Sequence, residues 1–230
     1  NRWREITPLV REPLGLNSDV AIGSIGSSIL VLGGGGANSM RAFDVFDVSQ
    51  RAWSRQPPLP FDSSYSLVVE VGGKMVCCAS DEHLQETFIY DPETRSWTAG
   101  PRLPLELHDS HGRGVHWHAD AFEVHGKFCI MGYFALTPET AGYSAFVWDP
   151  ARESWDEAPF PVPPVVAFEC SQIDGHLIVS GNHLSDWNID HSSSDLTWLY
   201  VLSPGSTEWA EWRLPDGVRR STRIAAVRIG

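Results

Sequence analysis

With 230 residues, 42% of them hydrophobic and 11% aromatic, the chain carries enough apolar surface for one or two packed domains and does not have the composition of a disordered segment. Its formal charge is −12, and only Lys74 and Lys127 among the 17 basic residues are lysines, which argues against nucleic acid as a partner. No run of 18 consecutive apolar residues occurs, and Asn1 to Glu5 lack a signal-peptide layout, so membrane insertion is not expected.

Taken in chain order, short strand-like runs recur between Gly, Pro, Asp and Ser, and no segment sustains a helical period with caps. Trp3 followed by Pro8 reads as the outer strand of a first, partial repeat. The first complete repeat has a turn at Gly26-Ser27, an apolar run from Ile29 to Leu32 ending on Gly33-Gly34, the pair Phe46-Asp47, then Trp53 and the exit Leu59-Pro60. The second has Gly72-Gly73, Met75 to Cys78 ending on Ala79-Ser80, Tyr90-Asp91-Pro92, Trp97 and Leu103-Pro104. The third has His125-Gly126, Phe128 to Met131 ending on Gly132-Tyr133, Trp148-Asp149-Pro150, Trp155 and Phe160-Pro161. In the fourth, Asp174-Gly175, Leu177 to Ser180 and Gly181-Asn182 lead to Tyr200, Trp209 and Leu214-Pro215, with two extra residues before the tryptophan. Arg223 to Gly230 matches the first strand of a further repeat.

A repeat of this length is one supersecondary unit. Each supplies four antiparallel strands, too small to bury both faces alone, and stacking such sheets around an axis solves that problem. The expectation is an all-β chain, a β-propeller with blades at about 18–60, 64–104, 115–161 and 165–215 and a partial blade from 1–9 and 220–230. Residues 1–230 are then a single domain, a portion of a five- or six-bladed propeller, because two lone end strands would leave unpaired sheet edges. Gly33, Gly34, Gly132 and Gly181 would allow positive φ or close backbone approach where a strand ends, and Trp53, Trp97, Trp155 and Trp209 would fill the wedge between blades.

A diglycine closing the second strand, then an aromatic residue, then a tryptophan on the outer strand resembles the Kelch repeat. The resemblance spans nearly the whole chain, although only Gly33-Gly34 is a complete diglycine. The phrases Tyr90-Asp91-Pro92-Glu93-Thr94-Arg95-Ser96-Trp97 and Trp148-Asp149-Pro150-Ala151-Arg152-Glu153-Ser154-Trp155 are most similar to plant F-box/Kelch proteins. That resemblance implies a protein-interaction module without chemistry of its own, which holds a protein substrate for a cullin-type ubiquitin ligase. A Skp-type adaptor would bind only through an F-box, which these residues do not contain.

In such a propeller the links between blades and the turns between second and third strands emerge on one face. From loop position alone, the expected partner contacts are Asn38, Arg41, His83, His111, Arg113, Tyr133, Tyr143, Trp187 and His191. Trp187 can serve as an exposed anchor or can pin its own loop.

The rival class is an enzyme, since fold does not settle function. His108, Asp109, His111, His116, His118 and Asp120 crowd thirteen positions, yet their spacing matches no metal signature and they lack the Glu-x-x-x-Asp-x-x-x-His run of iron-binding specifier-type Kelch proteins. His116 and His118 share one face of an extended strand, and repeat alignment puts His118 level with Asp19 at the mouth of the channel. These three are the metal-ligand candidates; the alternative is histidines hydrogen-bonded to loop backbone, and no cofactor is expected. A non-catalytic scaffold is the third reading. Gly33 to Gly36 lacks the Lys-Ser/Thr ending of a phosphate loop, and no Gly-x-Ser-x-Gly elbow occurs. Cys77, Cys78, Cys129 and Cys170 lie within or beside apolar runs and read as buried thiols, and no Asn-x-Ser/Thr sequon is present. Both fit a reducing compartment, cytoplasmic or nuclear.

Overall fold

The computed structural model describes residues 20–34, 40–62, 67–78, 86–103, 119–135, 141–183 and 198–214. The partial-blade segments predicted at 1–9 and 220–230 lie outside them. Every regular element among the described residues is a β-strand, and the chain divides into two compact units, Asn1–Gly114 and Val115–Gly230.

The first unit holds two four-stranded antiparallel sheets whose strands follow sequence order. One is β1 (Ala21–Ile25), β2 (Ser28–Leu32), β3 (Phe43–Asp47) and β4 (Ala52–Arg55); the other is β5 (Leu67–Val71), β6 (Lys74–Cys78), β7 (Thr87–Asp91) and β8 (Ser96–Ala99). The second unit repeats the plan with β9 (Ala119–Val124), β10 (Lys127–Ala135), β11 (Ala141–Asp149) and β12 (Ser154–Glu157), then β13 (Val165–Ile173), β14 (His176–His183), β15 (Trp198–Leu202) and β16 (Trp209–Arg213). These are the four blades the repeats predict.

Turn chemistry explains why the strands begin and end where they do. Each first hairpin closes through two residues, and three of the four have positive φ at both: Gly72 and Gly73, His125 and Gly126, Asp174 and Gly175. That is the primed turn geometry whose twist matches the flanking strands. Between third and fourth strands of the first three blades, four residues intervene and the last of them has positive φ: Arg51, Arg95 and Glu153. An aspartate heads each of these loops and its carboxylate accepts backbone N–H groups within the loop, at 2.9 Å from Gln50 to Asp47, 2.9 Å from Glu93 to Asp91 and 2.9 Å from Ala151 to Asp149. The fourth blade needs six residues there and turns at Gly205 instead.

The strands alternate their side chains between two faces, and the facing blade supplies the other half of each core. In the first unit Leu30 and Leu32 of β2 meet Met75 and Cys77 of β6 in one buried cluster with Phe43, Leu59, Phe61 and Tyr90. In the second unit the same offsets recur: Cys129 and Met131 of β10 pack with Leu177 and Val179 of β14, joined by Phe160, Val165 and Tyr200. Each fully buried aliphatic or aromatic side chain contributes roughly 1.5–3 kcal/mol, so neither sheet of a pair could keep its face without the other.

Two of the tryptophans, Trp97 and Trp209, reach the preceding blade of their own unit. Trp97 of β8 packs on Phe43 of the first blade, ring centroids 5.4 Å apart, and donates its indole N–H to the Pro57 carbonyl at 3.3 Å. Trp209 of β16 packs on Phe160 and donates to the Pro161 carbonyl at 2.7 Å. Trp53 packs on Phe46, and Trp155 on Phe128, within their own blades. Polar latches accompany them. Glu70 of β5 accepts the Gly26 N–H, and Gln172, at the equivalent position of β13, donates to the Glu123 carbonyl.

The glycines divide. Gly33 and Gly34 take φ of 67° and 98° just past β2, where a side chain would be strained. Gly132 and Gly181 lie inside β10 and β14, which continue to Ala135 and His183.

Candidate functional site

The loops between second and third strands emerge at the same end of a blade as the link to the next, and in the first unit one residue ties them together. Arg41, just before β3, donates from Nε to Asp62 at 2.7 Å, while its carbonyl accepts the Leu59 N–H at 3.0 Å. Both side chains of the ion pair are more than half exposed, so the pair fixes a geometry more than it adds stability. Arg41 therefore stands at the loop end of its blade, held by a link residue, Asp62, that pattern reading did not single out.

Tyr133 and Tyr143 come together. The β10–β11 ladder does not stop at Gly132 opposite Ser144 but continues through Tyr133 opposite Tyr143 and Phe134 opposite Gly142 to Ala135 opposite Ala141. The equivalent ladders of the first unit end at Leu32 opposite Phe43 and Cys78 opposite Thr87. The third blade thus projects a longer hairpin at its loop end, and two expected contact residues are direct cross-strand neighbours on it. Asn38, His83, His111, Arg113, Trp187 and His191 lie outside the described residues, as do the metal-ligand candidates His116, His118 and Asp19. Among the described residues no group of three or more His, Cys, Asp or Glu side chains is placed to hold a metal ion.

The opposite, turn end is electrostatically settled. The Lys127 ammonium beside Asp149, at 2.9 Å, together with hydrogen bonds from Ala151 and Arg152, pulls that carboxyl down to about 2. Lys74, at 3.0 Å, and the loop N–H groups lower Asp91 in the same way, and hydrogen bonds from Ser49 and Gln50 lower Asp47. Three thiols are held protonated for the opposite reason: burial pushes Cys78 up to about 12 and raises Cys77 and Cys129 well above an ordinary thiol. None of these groups forms a nucleophile or an acid–base pair.

No protein-family model matches the chain. An F-box/kelch-repeat protein of Arabidopsis thaliana is 27% identical over 168 residues, which cover 66% of this chain and 46% of that protein, so the match spans about half the relative's length. The solved structure of YjhT aligns with a TM-score of 0.57 at 12% identity, covering 90% of this chain and 68% of that one. At that identity the likeness concerns the fold alone. The fold class is that of a Kelch-type β-propeller. In sequence the chain resembles the plant F-box/kelch-repeat proteins.

Proposed function

We propose that residues 1–230 form one Kelch domain that holds a protein substrate at the loop end of its blades, as the recognition propeller of an F-box/Kelch subunit of a cullin-type ubiquitin ligase. The observation that carries this reading is the 168-residue similarity to an F-box/kelch-repeat protein. The extended β10–β11 hairpin supports the choice of surface, because it sets the Tyr133 and Tyr143 backbones opposite one another at the loop end. The contact set is Asn38, Arg41, His83, His111, Arg113, Tyr133, Tyr143, Trp187 and His191. Aromatic and arginine side chains at such positions are the usual anchors of protein interfaces. Binding of the Skp-type adaptor falls to an F-box and not to these blades. The work of the domain is then in the cytoplasm or nucleus, where the ligase acts.

The test is co-purification of the full-length protein with a Skp-type adaptor and cullin, combined with substitution of Trp187, Tyr133 and Arg113 by alanine. The expected result is adaptor binding unchanged by the substitutions and substrate capture lost. Capture that survives all three changes rejects the surface, and absence of adaptor binding rejects the ligase assignment.

A further inference from the structure

Lysine is ordinarily among the commonest residues of a globular domain, yet of the 17 basic side chains here two are lysines and 15 are arginines. The two lysines hold the same place in successive blades. Lys74 opens β6 directly after the Gly72-Gly73 turn, and Lys127 opens β10 directly after His125-Gly126. Each amine reaches across its hairpin to the aspartate that ends the third strand, 3.0 Å from Lys74 to Asp91 and 2.9 Å from Lys127 to Asp149. Register accounts for the match: Met75 stands opposite Tyr90 and Phe128 opposite Trp148, so lysine and aspartate are the next pair along each ladder.

Elsewhere the cation in a described ion pair is arginine, as in Arg41 with Asp62, Arg55 with Asp44, and Arg152 with Asp149 and Asp156. Exposed ion pairs add little to stability, so the fold gives little reason to prefer one cation over the other. What separates them is chemistry: the lysine amine accepts acyl groups, ubiquitin among them, and the guanidinium does not. Both amines also lie at the turn end of their blades, away from the loop end that would hold a substrate.

We infer that these blades are poor ubiquitin acceptors, with every side-chain amine confined to two paired positions remote from the substrate surface; this rests on the ligase reading above. In the transfer, a deprotonated ε-amine attacks the thioester carbonyl of the carrier enzyme. The isopeptide C–N bond forms, the C–S bond breaks, and the carrier leaves as a thiol with the proton the amine gives up. An amine seated on a carboxylate must leave it before it can attack, whereas a lysine of the held substrate meets no such restraint.

The test uses the full-length protein assembled with Skp-type adaptor, cullin, carrier enzyme and ubiquitin, beside the variant Arg213→Lys, which keeps the charge and places a new amine where β16 exits. Mass spectrometry of the glycine-glycine remnant is expected to show several-fold more modification at the new amine than at Lys74 and Lys127. Asp91→Asn and Asp149→Asn are expected to raise modification of the lysine each releases. Equal modification of native and introduced lysines overturns the inference. Acetylation of the folded chain by a water-soluble reagent, which needs no ligase, is expected to give the same order; equal rates overturn it likewise. Absence of adaptor binding overturns the ligase reading and leaves the acetylation result to judge the amines separately.

Discussion

Trp209 donates its indole N–H to the Pro161 carbonyl at 2.7 Å, so the outer strand of the fourth blade is fastened to the segment leaving the third. Trp97 makes the equivalent bond to Pro57 at 3.3 Å in the first unit. The exits are proline-bearing, and a segment that turns away from a sheet leaves carbonyls without ladder partners, which the indoles satisfy.

Trp209→Phe keeps most of the ring and loses the donor. It is expected to lower stability by about 1 kcal/mol, the usual net worth of one such bond, as measured by urea unfolding. Trp97→Phe should cost less because its bond is longer. An unchanged midpoint for Trp209→Phe would remove the latch from the account.

Gly23 of β1 lies against Val68 of β5, and a Cβ added there would sit 2.9 Å from a Val68 methyl. Alanine in a strand gains roughly 0.5–1 kcal/mol over glycine in backbone entropy, whereas overpacking costs roughly 1–3 kcal/mol. Overpacking should win, so Gly23→Ala is expected to destabilise. In a Val68→Ala background the same change should become neutral or stabilising, and a double-mutant cycle by urea unfolding reads the coupling.

Acid stability follows Asp149. Its folded value of about 2 lies below the unfolded value of about 3.9. In that window the unfolded chain binds a proton that the folded chain refuses. The contribution is therefore complete above the unfolded value and disappears as pH falls through the folded one. Lys127→Met removes the largest cause of the shift and should move acid unfolding to higher pH, with the Asp149 carboxyl titrating higher by NMR.

Thiol labelling of the folded chain with a disulfide reagent near pH 8 should modify Cys170, which is half-buried, ahead of Cys77, Cys78 and Cys129, which are buried and whose thiols burial holds protonated. The latter three should react only on unfolding. Because the unfolded chain releases those protons near the ordinary thiol value while the folded chain keeps them, stability should also decline as pH rises above about 8.5.

Much of the fold is legible in the residues because the turn signals are local. Gly72-Gly73 and Asp174-Gly175 impose two-residue hairpins whatever surrounds them, and in the first three blades the aspartate before the Trp strand nucleates its own loop. What pattern reading could not supply is contact between distant residues. Glu70 on the Gly26 N–H, Gln56 accepting the Tyr90 hydroxyl at 2.8 Å, and Asp120 accepting the Cys170 N–H at 2.7 Å depend on how two blades meet. The length of the β10–β11 hairpin was hidden too, because Gly132 reads as a strand end although the ladder passes through it. The loop end is legible as a location from strand order, but its chemistry is not, since loop side chains follow no period.

Photo-crosslinking reads out which end of the blades holds a partner. A benzoylphenylalanine replaces Tyr133 at the loop end or Arg95 at the turn end of the full-length protein, which is then illuminated in cell extract. Substrate binding at the loop end requires a discrete protein adduct from position 133 that a loop-end substitution such as Trp187→Ala abolishes, and none from position 95. Adducts from the turn end, with none from the β10–β11 hairpin, would contradict it.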